Sequence, residues 1–118
     1  MHSEFSIFES ELQVRPDDLD LNGHVHQSKY LDYVLAARFD QMERCYGMSM
    51  QEFLDLGLTW FARKAYVEHK RPLFMGEWMR VRTAISEMGK RSVKVTYEIL
   101  RRTDGKVSAQ GWFEFTLV

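Results

Sequence analysis

The chain is poor in the residues that would force an unusual architecture. Its 118 residues include one cysteine, two prolines and seven glycines. Cys45, being alone, cannot close an intrachain disulfide, so the fold does not depend on an oxidising compartment. It falls in an apolar helical stretch and reads as a small buried hydrophobe; a catalytic thiol is the lesser alternative. Neither charge sign dominates. Sixteen basic residues stand against 17 acidic ones, a net charge of −1, and the basic excess of a nucleic-acid binder is missing. No run approaches the ~20 apolar residues of a membrane span. The opening residues carry Glu4 and Glu9 and no basic region ahead of the apolar positions, unlike a signal peptide. These absences predict a cytoplasmic protein with no nucleic-acid or membrane partner.

What is present suits a compact core. Hydrophobic residues make up 45%, and the length fits one domain spanning 1–118, since domains commonly run ~100–150 residues. Alternation governs the second half. Met79, Val81, Thr83 and Ile85 fall on one face, as do Val93, Val95, Tyr97 and Ile99, then Ala109, Gly111, Phe113, Phe115 and Leu117. A period of two with one apolar face predicts antiparallel strands covered on one side, over 77–88, 91–102 and 109–117. Thr103-Asp104-Gly105-Lys106 reads as a hairpin turn, and Gly89-Lys90 as a second of the same kind. Two less regular strands are expected over 5–14 and 59–70, closed by Pro16 and by Arg71-Pro72.

Between those two strands Leu31, Val34, Leu35, Met42, Cys45 and Tyr46 recur at helical spacing, with Ala37 and Phe39 close by. Asp32, Asp40 and Glu43 take the opposite side. This predicts a long, largely buried helix over 26–46, stopped by Gly47. A short helix over 49–56 should follow, with Ser49 as N-cap and Glu52 completing a capping box. Strand, long helix, short helix and four strands make an α+β protein: one five-stranded antiparallel sheet around one buried helix. Such a sheet leaves an edge and a face to cover, which favours a homo-oligomer.

The chemistry concentrates in Pro16-Asp17-Asp18-Leu19-Asp20-Leu21-Asn22-Gly23-His24-Val25-His26-Gln27-Ser28-Lys29-Tyr30. Three aspartates, an asparagine and two histidines run into the start of the buried helix. Free N–H groups at a helix start stabilise negative charge. Gly23 lets a ligand approach the backbone, and a nearby carboxylate activates water or attacks directly. Together they describe an acyl-transfer site.

The stretch from Asp18 to Tyr30 resembles the signature of the hotdog-fold thioesterases. It is similar to the 4-hydroxybenzoyl-CoA thioesterases, to the YbgC-like acyl-CoA thioesterases and to the fatty acyl-ACP thioesterases with their Asp-x-Asn-x-His pattern. Tyr66 to Glu77 also matches a hotdog pattern in which Arg-Pro and a Gly-acid pair mark a strand-to-strand crossing. The resemblance implies a hotdog fold and hydrolysis of an acyl thioester carried on CoA or ACP. It further implies no cofactor and no metal, and dimers that pair into tetramers. By position, Asp20 matches the catalytic acid, Asn22 and His24 its polar partners, and the amides near Val25 and His26 the donors that polarise the carbonyl. Where YbgC-like members carry a histidine seven positions after the aspartate, this chain has Gln27.

Substrate contacts are expected from Gly23 and Gln27, and the Lys90-Arg91-Ser92 turn is the candidate for the CoA phosphates. A metal held by His24 and His26 is disfavoured, because three or four convergent ligands would be needed. Two rival functions are a hotdog protein that binds acyl thioesters without cleaving them and a hotdog hydratase or dehydratase.

Overall fold

The computed structural model describes residues 7–45, 50–58 and 60–117, apart from the side chains of 42–45, 50, 53 and 54. The elements run β1 (Phe8–Gln13), α1 (Gln27–Cys45), α2 (Met50–Asp55), β2 (Trp60–His69), β3 (Trp78–Met88), β4 (Ser92–Arg101) and β5 (Val107–Leu117). A short 3-10 turn at Pro16–Asp18 precedes the helix. All strands join one antiparallel sheet in the order β1-β3-β4-β5-β2. This is the α+β hotdog arrangement expected from the sequence, with α1 carrying the chain from one edge strand to the other. Among the described residues no helix is long and apolar enough to cross a membrane.

The alternating positions become the core. Met79, Val81, Val95, Ile99 and Ala109 are fully buried, and Ile85, Val93, Tyr97, Phe113 and Phe115 nearly so, against Tyr30, Tyr33, Val34 and Ala37 of α1. Thr83 and Gln41 are buried with them. Inside the apolar layer, the Thr83 hydroxyl donates to Gln41 Oε1. Gln41 Nε2 in turn donates to Ser10 Oγ at 3.2 Å and to the Val81 carbonyl at 3.4 Å. Ser10 Oγ donates to Asp40 Oδ2 at 2.5 Å. The network pins α1 to β1 and β3, and each buried polar atom named has a partner, which is what makes such a cluster tolerable in low dielectric.

The structure departs from the pattern in three places. Phe39, expected near the buried side, is 57% exposed, while its neighbour Arg38 is buried; a helix of 3.6 residues per turn gives adjacent positions directions about 100° apart, and α1 turns Arg38 inward. The Gly89 turn is not of the same kind as the Asp-Gly hairpin. Gly105 takes φ 72°, but Gly89 is not among the positive-φ residues; its N–H donates to the Ser92 carbonyl at 2.9 Å. A bulge between Ile85 and Glu87 adjusts the register leading into that turn. Finally, β2 is exposed along most of its length, with only Trp60 and Val67 partly covered. The expected roles of Tyr46, Gly47 and Ser49, and of the Met42 and Cys45 side chains, lie outside the described residues.

Candidate active site

The loop between β1 and α1 is built around two aspartates with opposite duties. Asp18 is buried. Its Oδ2 accepts the Tyr33 hydroxyl at 2.7 Å and the Arg15 amide at 3.2 Å, and its carbonyl accepts the His26 amide at 2.8 Å. It ties the 3-10 turn to the helix start. Burial, then the bond to Asp18, raise the Tyr33 phenol above its ordinary value.

Asp20 faces outward from the same loop. Leu19 and Val25 pair as an antiparallel bridge, so 20–24 form the tip of a tight hairpin. The Asp20 amide donates to the His24 carbonyl at 2.8 Å, and Gly23 donates to the Asp20 carbonyl at 3.1 Å. Gly23 sits at φ 78°, in the left-handed region that glycine tolerates best. Asp20 Oδ1 accepts the amides of Asn22 at 2.8 Å and His24 at 3.1 Å. The Asn22 amide is the main reason the carboxyl is held below its ordinary value, with the His24 amide and the two nearby histidines helping and partial burial opposing. Both bonds fall on Oδ1; among the described residues nothing hydrogen-bonds Oδ2. The group is therefore ionised at neutral pH, fixed by one oxygen and open at the other.

Asp20 borders two depressions. One, of about 230 Å³, has Asp20, His24, Gln27 and Tyr30 on its loop-and-helix side and His69, Lys70, Arg71 and Pro72 on the other. The second is a wider, shallow depression of about 530 Å³ shared with Leu21, Asn22 and His26. Residues 69–74 are held against the loop at several points. Leu73 accepts the Val25 amide at 2.9 Å, Leu73 donates to the Tyr30 hydroxyl at 3.3 Å, and His24 pairs with Phe74. The His24 ring also meets the Phe74 ring edge-on at 5.1 Å.

This seating changes which amide is available at the helix start. The amides of Val25 and His26 are spent on the carbonyls of Leu73 and Asp18. His26 serves instead as the cap: its Nδ1 accepts the Ser28 amide at 3.2 Å and lies 2.9 Å from Ser28 Oγ, so the ring proton belongs on Nε2. Lys29 donates to the His26 carbonyl at 2.9 Å. The Gln27 amide makes no hydrogen bond among the described residues, and Gln27 lines the Asp20 cleft. It is an unsatisfied donor of the first helical turn.

The structure thus brings Asp20, His24, Val25 and Gln27 to one cleft, with Gly23 in the loop tip, and turns Asn22 and His26 toward the second depression. It does not bring Lys90, Arg91 and Ser92 to either. Ser92 pairs with Thr116, which lies opposite Phe61 near the start of β2. His69 ends the same strand, some 25–30 Å away at about 3.3 Å per residue. The wall formed by His69, Lys70 and Arg71 was not singled out from sequence. Its signals were the strand-ending Arg71-Pro72 and the Tyr66–Glu77 match to a strand crossing, which mark where β2 stops but not which loop it meets.

Comparison with known proteins agrees with this architecture. The Thioesterase-like superfamily matches residues 14–118. A putative esterase of Aquifex aeolicus is 29% identical over 84 residues, 71% of this chain and 65% of its own length. Among solved structures, a hypothetical protein from Thermus thermophilus superposes with a TM-score of 0.90 at 27% identity, covering 95% of this chain and 83% of its own. A DHNA-CoA thioesterase from Staphylococcus aureus reaches a TM-score of 0.90 at 20% identity, covering 95% and 74%; at that identity the likeness concerns the fold.

Proposed function

The chain belongs to the Thioesterase-like superfamily, and from that membership and the cleft geometry we propose that it hydrolyses acyl thioesters, with CoA or ACP as the carrier. The observation that carries the reading is Asp20: an ionised carboxylate, anchored through Oδ1 by two amides and open at Oδ2, beside the unsatisfied Gln27 amide. Docked in the cleft, the thioester carbonyl oxygen meets the Gln27 N–H, and the helix start favours the negative charge that develops there. Asp20 Oδ2 takes a proton from water, whose oxygen attacks the carbonyl carbon, or attacks that carbon itself. His24, packed on Phe74, shapes the cleft wall, and Asn22 holds Asp20 in place through its amide. One oxyanion donor is typically worth ~3–4 kcal/mol in barrier height, so a single well-placed amide contributes substantially.

The exposed edge strand β2 supports a homo-oligomeric protein, a dimer that pairs into a tetramer, because an unpaired edge is a template for a second copy. Lys90, Arg91 and Ser92 can then serve a cleft only from another copy. The lone cysteine suits the cytoplasm as the setting.

The deciding experiment is hydrolysis of acetyl-, hexanoyl-, palmitoyl- and benzoyl-CoA followed by free-thiol detection. Wild type should release thiol, and Asp20→Asn should lose at least about 100-fold in kcat while keeping the wild-type circular dichroism spectrum. Its low-lying carboxyl sets the direction of the pH response: the midpoint of the acid-side loss of activity should lie below the ordinary aspartate value of 3.8. Binding of these esters without thiol release would favour a non-hydrolytic binding protein, a reading that the engaged Val25 and His26 amides support. Hydration of crotonyl-CoA would point to a hydratase.

A further inference from the structure

A thioesterase has two proton problems, and Asp20 solves one. Water must lose a proton as it attacks, and the departing sulfur must gain one or leave as a thiolate. An alkyl thiol ionises near pH 8.5 in water, so at neutral pH the thiolate is a moderate leaving group, and a positioned acid assists it.

The cleft offers a group for the second task. His69 ends β2 and lines the same cleft as Asp20. Its ring meets that of Tyr30 edge-on at 4.9 Å. Tyr30 is a firm support, being buried and holding the Leu73 amide through its hydroxyl. Tyr30 also follows Gln27 by three residues, so the two lie on one side of α1 about one turn apart. Gln27, Tyr30 and His69 line one cleft together with Asp20. No carboxylate or carbonyl engages the imidazole among the described residues. Of its two basic neighbours, Lys70 pairs with Glu68 at 3.7 Å, while the Arg71 guanidinium keeps its charge and donates to the Val107 carbonyl at 2.7 Å. The titratable and charged groups around the ring are Asp20 and His24 on the loop, Tyr30 on α1, and Lys70 and Arg71 beyond the strand; β5 presents Ala109 as its register partner.

We propose that His69 is the general acid of this site, giving a proton to the sulfur as the carbon–sulfur bond breaks. The inference rests on the hydrolase reading. Water loses a proton to Asp20 and its oxygen bonds the carbonyl carbon. The tetrahedral oxyanion, held by the Gln27 amide, collapses and expels sulfur, which takes the proton of the His69 imidazolium. The products are a carboxylic acid and a free thiol. Asp20 then releases its proton to solvent and His69 recovers one.

The test uses the acyl group that wild type hydrolyses fastest in the CoA panel, presented both as the CoA ester and as its 4-nitrothiophenyl ester, whose far more acidic thiol needs no acid to leave. His69→Phe keeps a ring on Tyr30 and removes the proton; His69→Gln is a second variant, and circular dichroism checks both folds. Expected is a roughly 10- to 100-fold lower kcat on the CoA ester and near wild-type kcat on the nitrothiophenyl ester. Wild-type turnover of the CoA ester by His69→Phe overturns the assignment, as does an equal loss on both esters, and each leaves the hydrolase reading intact. If wild type cleaves neither ester, the hydrolase reading falls and the role of His69 falls with it.

Discussion

Tyr97 of β4 reaches across β5 and donates its phenolic hydrogen to the backbone carbonyl of Tyr66 on β2 at 2.8 Å, passing over Gly111. A Cβ at position 111 would collide with the Tyr66 carbonyl oxygen and lie 2.8 Å from the Tyr97 hydroxyl. Glycine ordinarily weakens a strand interior; here it makes the cross-strand bond possible. Gly111→Ala should therefore destabilise the fold by about 1–3 kcal/mol through forced displacement of β2. Tyr97→Phe, which removes only the bond, should cost about 1 kcal/mol. Urea midpoints of the two variants check the ranking, and an undisturbed midpoint in Gly111→Ala would contradict it.

Burial pushes the Tyr97 phenol from its ordinary 10.0 up to about 12. The folded state favours the neutral phenol, so the linked stabilisation is complete below pH 10 and is lost as pH rises toward 12. It amounts to about 2–3 kcal/mol, and Tyr33, raised in the same direction, adds to it. Stability measured from pH 9 to 12 should fall steeply in wild type and more shallowly in Tyr97→Phe.

The buried Thr83–Gln41 pair invites a double-mutant cycle. Thr83→Val strands the Gln41 carbonyl oxygen, and Gln41→Met strands the Thr83 hydroxyl. Each should cost about 1–3 kcal/mol, because one polar atom is left buried without its partner. The double variant removes both and should lose clearly less than the summed singles. Additive losses would mean that the two side chains do not depend on each other.

At the helix start, His26→Ala deletes the imidazole cap on Ser28, at a cost of about 1 kcal/mol, whereas His26→Asn should keep most of the stability. Thermal unfolding of the pair distinguishes a capping ring from a passive one.

The parts of the fold written in local periodicity were legible in the sequence. Met79 to Ile85, Val93 to Ile99 and Phe113 to Phe115 alternate, and alternation alone names their inward face. The helix boundary near Gln27 followed from apolar spacing. Gln41 was not legible as a core residue, because a polar side chain in an apolar stripe declares itself only through its partners on β1 and β3. The candidate site was half legible for a related reason. Asp20 could be marked from its own loop. Which helix-start amide stays free could not, since Val25 is claimed by Leu73, 48 positions further along the chain. His69 was invisible as a site residue for the same cause: only sheet assembly sets it on Tyr30.

The strand order carries a consequence for how the cleft comes into being. Its two sides, at 20–30 and 69–72, lie far apart in sequence and follow β1 and β2, the two edge strands of the sheet. The contacts that close the cleft are long-range ones, of the kind that raise a domain's contact order. An occupant that needs both sides of the cleft has no site in the unfolded chain, so its binding stabilises the domain against unfolding, edge to edge.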